Sequence, residues 1–358
     1  MTRPICLVAG GTGGHVFPAA ATADALKKRG VNVVFLTDQR GKVYFSPTDD
    51  HVVTLSAVTP TGRSGIKRWL AYAGVLWAML QSFLVFLRFR PMLVVGFGGY
   101  PSFAPCKAAQ IMGIPTVLHE QNAVLGRANR SLFSSAHALA VSFEDTIGLT
   151  TREKIHVTGN PVRYTPIPKS RQTKGALTLS IFAGSQGAQF FGLPLAQCLL
   201  PLLESFSAKL FVNHQVRSED CADVIKLYQK YNIRADIAPF FDDLPQRLHD
   251  TDFAICRSGA STVAELANHQ VPALLIPLPG GLDAQQAENA QLLMASGGAR
   301  LIEQDQVQTK TLEANLHDWL NDPSSLHAAS EALSGLARPS AADDLADVIF
   351  ATIRMSHE

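Results

Sequence analysis

Two stretches of this chain, VAGGTGGHVFPAAATADALKKRG from Val8 and LTLSIFAGSQGAQFFG from Leu177, share one order: an apolar run, a glycine-rich loop and the start of a helical pattern. That order constrains the fold more than any other feature. A strand that feeds a helix through a short loop returns the chain to a parallel neighbour, and glycine lets the loop turn sharply while a ligand approaches its backbone. One such opening in each half of 358 residues predicts two α/β domains, each with a parallel sheet, facing a cleft. Gly10, Gly11, Gly13 and Gly14 suit a phosphate-sized visitor. A dinucleotide, a phosphosugar and a purely structural turn all stay open at this point.

Strand-like runs alternate with helical patterns throughout. In the first half they fall at Ile5 to Ala9, Val31 to Thr37, Met92 to Gly96, Thr116 to His119 and Ala138 to Ser142. In the second they fall at Lys209 to Asn213, Phe253 to Cys256 and Ala273 to Ile276. Between them GNPVRYTPIPKSRQTKG, with Pro161, Pro166 and Pro168 and no apolar period, reads as a linker. The expected organisation is a first domain over 1–160, a linker over 161–175 and a second domain over 176–340. A final helix over 341–355, apolar at Leu345, Val348, Ile349 and Ile353, is expected to pack back on the first domain.

Charge narrows the partners. With 31 basic and 30 acidic residues the chain lacks the electrostatic footprint of a nucleic-acid binder. Cys6, Cys106, Cys198, Cys221 and Cys256 are odd in number and lack C-x-x-C spacing, so they read as reduced thiols of a cytoplasmic protein. The apolar run at Ile5 is too short for a signal peptide. A second apolar stretch is long: WLAYAGVLWAMLQSFLVFL, Trp69 to Leu87, is interrupted only by Gly74, Gln81 and Ser82 and is edged by Lys67, Arg68, Arg88 and Arg90. Its length reaches that of a membrane span.

In parallel sheets ligands sit beyond the carboxyl ends of the strands, so the loops that follow strands hold the candidate chemistry. GGTGGH misses the dinucleotide pattern G-x-G-x-x-G because Val16 stands at the third glycine, although Asp38 mimics the ribose-binding acid. GFGGYPS and AGSQGAQ place glycines before helices. HEQN, His119 to Asn122, sets four hydrogen-bonding side chains at a strand end, where they either face a ligand or complete a local network. In CRSGASTVAEL, Ser258 or Ser261 is placed to cap a helix. Glu265 is placed either to accept the hydroxyls of a ribose or to close a capping box with Thr262. Asp250 and Asp252 form a D-x-D pair, but they precede a strand and so lie at the wrong end of the sheet for a cation site. No metal and no cofactor are expected.

Taken in order, GGTGGHVFPA, GFGGYPS, LHEQNAVLGRAN, GNPVR, GSQGA, CRSGASTVAE and DAQQAENA resemble the MurG family, bacterial transferases that add N-acetylglucosamine to an undecaprenyl-diphosphate muramoyl-pentapeptide. The resemblance covers nearly the whole chain. It implies a GT-B fold of two Rossmann-like domains, with the acceptor mainly on the first and UDP-N-acetylglucosamine mainly on the second. It further implies donor contacts at Thr12, Gly13, Gly14, Asn122, Arg163, Ser185, Gln186, Gly187, Ala260, Ser261, Thr262, Glu265, Gln285 and Gln286, with the backbone near Phe241 meeting the uracil. The chain departs from the family pattern at Gln189, where an arginine is frequent, and in the loop LPGGLDAQQ.

An inverting transfer needs a base, and His15 at the end of the first loop is the candidate, with Glu120 the alternative. A bracing role for His15 is the competing reading. The resemblance also implies work at the cytoplasmic face of the inner membrane, where the basic-edged apolar segment 66–90 would dock peripherally on an anionic surface. A true span would split one sheet across the bilayer. A UDP-sugar 2-epimerase of the same architecture and an inert lipid- or nucleotide-binding protein are the rival readings.

Overall fold

The computed structural model describes residues 3–45, 51–57, 64–162, 176–184, 187–280 and 285–356. Contacts divide the chain into two compact units, Met1–Arg163 with Ser340–Glu358, and Tyr164–Pro339.

The first unit is built on a seven-stranded parallel sheet. Its strands are β1 (Ile5–Val8), β2 (Val33–Thr37), β3 (Val52–Thr54), β4 (Leu93–Gly96), β5 (Thr116–Glu120), β6 (Ala138–Val141) and β7 (Ile155–Val157), in spatial order β3-β2-β1-β4-β5-β6-β7. The five inner strands are buried along their whole length, as uninterrupted runs such as ICLV and LVVG require when helices cover both faces. The edge strands β3 and β7 are three residues each and partly exposed. That is why their sequences carry no strand signal of their own.

The helix Ala341–Met355 buries Leu345, Ala346 and Ile349 in the same core as Leu7, Leu26 and Phe35. Leu345 and Ile349 each contribute about 1.5–3 kcal/mol on burial. Arg29 anchors its first turn through Asp343 at 3.0 Å and through Asp347.

The apolar segment is one helix, Gly65–Phe89, about 37 Å long at 1.5 Å per residue. Ala71, Ala78, Ser82 and Phe86 are buried against the unit, whereas Trp69, Leu70, Leu76, Trp77, Leu80, Leu84 and Leu87 are exposed. The strands before and after it, β3 and β4, belong to one sheet. The helix therefore lies on the unit with one face covered.

The second unit has a six-stranded parallel sheet of β8 (Leu177–Phe182), β9 (Leu210–Gln215), β10 (Arg234–Ala238), β11 (Phe253–Cys256), β12 (Ala273–Leu275) and β13 (Ala299–Leu301), in the order β10-β9-β8-β11-β12-β13. Leu179, Ile181, Leu199, Val212, Phe253 and Trp319 share its core. Each sheet thus reverses its winding beside its first strand, between β1 and β4 and between β8 and β11. The crevice over the carboxyl ends there is where α/β sheets take ligands.

Candidate functional site

In the first unit, the loop after β1 and the loop after β4 meet over that crevice. Asp38 Oδ1 accepts from the backbone N–H of Gly11 and of Gly41, both at 2.8 Å, while the Tyr100 hydroxyl donates to its Oδ2 at 3.1 Å. Asp38 is therefore consumed in holding the glycine loop, and the ribose-binding role its position mimicked is corrected. Thr12 precedes the helix Gly13–Lys28, and its carbonyl accepts from His15 N at 3.1 Å and Val16 N at 3.3 Å. Gly13 and Gly14 form the first turn of that helix, at whose N-terminal end an anion is favoured.

His15 stands in that first turn, half-buried, with its ring against the second glycine loop. A Cβ placed on Gly99 would come within 3.0 Å of His15 Nε2 and 3.1 Å of Cδ2, and one on Gly98 within 3.7 Å of Cε1. Both glycines hold positive φ, 74° and 71°. The motif GFGGYPS is thus the seat of the His15 ring. Burial lowers the His15 pKa below its ordinary 6.5, against the pull of the Glu120 charge, the Phe97 carbonyl, the Gln121 side chain and the Asp38 charge. Burial therefore favours the neutral ring.

The HEQN cluster resolves into four different tasks. His119 Nε2 donates to the Gly159 carbonyl at 3.0 Å, tying β5 to the GNP turn, and burial pushes its pKa down to about 4. Glu120, 2% exposed, accepts from Asn122 N and Asn122 Nδ2 at 3.1 Å each, Gly126 N at 2.9 Å and Asn129 Nδ2 at 2.8 Å. A carboxylate has about four lone-pair sites. All are engaged, so Glu120 as folded has no acceptor left for a substrate proton and instead fixes the 120–129 turn. Gln121 Nε2 donates to the Phe97 carbonyl at 2.9 Å. Asn122 lies at the turn, half-buried, held to Glu120.

In the second unit the loop after β8 is braced from both sides. Gly187 N donates to Gly184 O at 3.2 Å, and Gln215 at the end of β9 joins Gly184 O to Pro239 O at 3.4 and 3.2 Å. Buried His214 donates from Nε2 to Phe191 O at 2.6 Å and meets the Tyr228 hydroxyl at 3.0 Å. Arg257 lays its guanidinium 4.9 Å from the Phe191 ring and donates to Ile276 O, Pro277 O and Gln304 Oε1. Phe241 is buried under the Arg247 guanidinium at 4.2 Å. Arg247 is itself held by Asn213 and Asp236 at 2.7 Å and Asp243 at 2.8 Å.

The helix Ala260–His269 opens at Gly259 with no side-chain cap. Neither Ser258 nor Ser261 caps it, and the Thr262–Glu265 capping box is not formed. Ser258 Oγ donates instead to Gln286 O at 2.7 Å. Ala260, Ser261 and Thr262 fill the first turn, with Glu265 one turn further on the same helix, largely buried. The helix Gln285–Ser296 starts nearby, and Gln286 Oε1 accepts from Leu278 N at 2.9 Å. Gln189 begins the short turn Gln189–Phe191. At the opposite end of the sheet Asp252 accepts from Thr178 N at 2.8 Å, and this brace between β8 and β11 is its role.

Arg163, Ser185 and Gln186 lie outside the described residues, as do 163–175 and 281–284. Sequence reasoning missed the supporting set: Asn129, Asn160, His214, Gln215, Arg247 and Arg257. Asn160, 3% exposed, leaves both amide atoms without a partner in the GNP turn. Only Asn129, Asn160 and Arg257 carried a signal, each inside a quoted motif.

Two family models match the chain: the glycosyltransferase family 28 N-terminal domain over residues 5–141 and the C-terminal domain over 178–345. A UDP-N-acetylglucosamine--N-acetylmuramyl-(pentapeptide) pyrophosphoryl-undecaprenol N-acetylglucosamine transferase of Brucella canis is 42% identical over 357 residues, covering 96% of this chain and 93% of that protein. The crystal structure of Acinetobacter baumannii MurG superposes with a TM-score of 0.78 at 26% identity, over 97% of this chain and 99% of that one. A putative UDP-N-acetylglucosamine 2-epimerase from Listeria monocytogenes shares the fold alone, with a TM-score of 0.67 at 15% identity over 96% and 94% of the two chains.

Proposed function

The chain belongs to the MurG family of glycosyltransferase family 28, and from that premise we propose that it transfers N-acetylglucosamine from UDP-N-acetylglucosamine to the 4-hydroxyl of a polyprenyl-diphosphate-linked muramoyl-pentapeptide, a step of peptidoglycan synthesis. The observation that carries the reading is His15 seated on Gly98 and Gly99 at the switch point of the first sheet, where burial favours its neutral form. In one in-line displacement the acceptor oxygen bonds to the sugar C1, the bond from C1 to the UDP oxygen breaks, and the hydroxyl proton passes to His15. The product is inverted to a β-linkage.

Glu120 keeps a positioning role through its four donors. On this reading the departing diphosphate is met by the first-turn N–H groups of the helix Ala260–His269 and of the loop around Gly187, and the family resemblance adds Ser185 and Arg163 to its expected contacts. Glu265 accepts the ribose hydroxyls, and the backbone at Phe241, held by Arg247, reads the uracil. Thr12, Gly13, Gly14 and Asn122 are the donor contacts this reading assigns to the first unit, and Gln186, Gln285 and Gln286 those it assigns to the second. This scheme runs without a metal ion, so a chelator leaves the rate unchanged; activity lost to chelator and restored by magnesium refutes that part.

The acceptor's lipid sets the location. Trp69, 76% exposed, and Trp77, 54% exposed, head a stripe continued by Leu70, Leu76, Leu80, Leu84 and Leu87, with exposed Lys67, Arg68, Arg88 and Arg90 at its ends. An apolar stripe edged by cations suits the anionic cytoplasmic face of the inner membrane, where the protein docks peripherally. Incubation with labelled donor and a short-chain acceptor analogue tests the reaction: label in the lipid with equimolar UDP supports it. Label in a free, epimerised sugar would establish the epimerase reading instead.

A further inference from the structure

Gln121 shares a buried corner with His15 and performs none of the bracing done by its neighbour Glu120. Its amide orientation is fixed, because the Phe97 carbonyl only accepts and so must face Nε2, which donates to it at 2.9 Å. Its Oε1 then points the other way, buried and with no donor in regular hydrogen-bond geometry among the described residues. His15 Nδ1 is also buried and makes no hydrogen bond of regular geometry among the described residues, although the Phe97 carbonyl and the Gln121 side chain both act on the ring. The two atoms flank one residue: a Cβ placed on Gly98 would lie 3.5 Å from Gln121 Oε1 and 3.7 Å from His15 Cε1, the carbon between the two ring nitrogens. The other nitrogen, Nε2, looks onto Gly99. Burying a polar atom unpaired is costly, and a donor and an acceptor side by side relieve both at once.

We propose that Gln121 is a positioning residue that holds neutral His15 in the tautomer protonated on Nδ1, with that proton directed at Gln121 Oε1. Nε2, on the Gly99 side of the ring, then carries the lone pair and is the atom left to take a hydroxyl proton. This deepens the reading of His15 as base and rests on it. A free neutral imidazole divides its proton between two nitrogens, so a fixed acceptor at one selects the basic site at the other. The charged groups around the ring are Glu120 at the end of β5 and Asp38 after β2, with His119 neutral beside them. Glu120 is filled by four donors, and Asp38 already holds the Gly11 and Gly41 amides on Oδ1 and the Tyr100 hydroxyl on Oδ2.

The test is nitrogen NMR of the full chain labelled at histidine, together with the pH profile of kcat. In the unsubstituted protein the neutral His15 ring is expected to carry its proton on Nδ1. In Gln121→Leu it moves toward Nε2, with kcat down about 10- to 100-fold and KM for UDP-N-acetylglucosamine unchanged. Gln121→Glu keeps an acceptor and adds charge, so it raises the His15 pKa and moves the acid limb of kcat to higher pH. A ring already protonated on Nε2 in the unsubstituted protein, or one unmoved in Gln121→Leu, overturns the proposal. The resonance readout needs no turnover, so a His15→Ala variant of full activity would sink the base reading while the tautomer is still decided on its own.

Discussion

Gly99→Ala isolates the seat of the ring proposed as base. Gly99 has φ 71°, and an added Cβ would come within 3.0 Å of His15 Nε2 and 3.1 Å of Cδ2, so the ring must shift by several tenths of an ångström. Two costs follow. The left-handed backbone with a Cβ costs roughly 1–2 kcal/mol, which lowers Tm by about 2–8 °C in a unit of this size. Displacing the base from its line to the hydroxyl costs about 10- to 100-fold in kcat, or roughly 1.4–2.7 kcal/mol of barrier. Gly30→Ala supplies the control, because Gly30 has φ 79° with no atom within 4 Å of its built Cβ. It incurs the backbone cost alone. Both variants are to be compared by thermal melting and by steady-state transfer with the donor varied. Comparable Tm losses, with kcat reduced only in Gly99→Ala and KM unchanged, are expected. A Gly99→Ala enzyme with the turnover of Gly30→Ala would refute the claim that the ring's position limits the rate.

The remaining predictions concern charge and support. The transfer rate should rise with pH through a His15 pKa below 6.5 and level off above it, since burial favours the neutral, basic form; an acid limb centred above 6.5 contradicts this. His119 and His214 are both held near pKa 4 by burial, so the unfolded chain binds more protons between pH 6.5 and 4 and stability falls as pH drops through that window. The loss is on the order of 3 kcal/mol per ring, and a Tm flat from pH 7 to 5 would count against it. Replacing Lys67, Arg68, Arg88 and Arg90 together by Gln removes about 1 kcal/mol each of attraction to anionic vesicles, roughly a thousandfold in affinity at low salt. Unchanged sedimentation with vesicles would dismiss that docking face. Arg247→Ala uncovers Phe241 and should raise KM for the donor about tenfold at constant kcat; a change confined to kcat is the contrary result.

The inner strands were legible because buried parallel strands are continuous apolar runs, and Phe253–Cys256 coincides with its expected span. The edge strands Val52–Thr54, Ile155–Val157, Arg234–Ala238 and Ala299–Leu301 were not. Three of the four are three residues long, and edge exposure removes the apolar pattern. At the site, glycine loops and HEQN were visible as clusters, but the division of labour within them was not. Whether a carboxylate is free or filled depends on donors from other turns, such as Gly126 and Asn129 for Glu120, and Tyr100 for Asp38. Arg247 and Gln215 had no motif at all, because their role is to hold backbone carbonyls and rings brought together by strand order rather than by sequence distance.

The most direct measurement is the rate of transfer by His15→Ala beside its affinity for UDP-N-acetylglucosamine. Loss of a general base costs about 10²–10⁴ in rate and leaves donor affinity near its original value. The account predicts that split. A variant that transfers at nearly the original rate, or one whose loss lies wholly in donor binding, would contradict it.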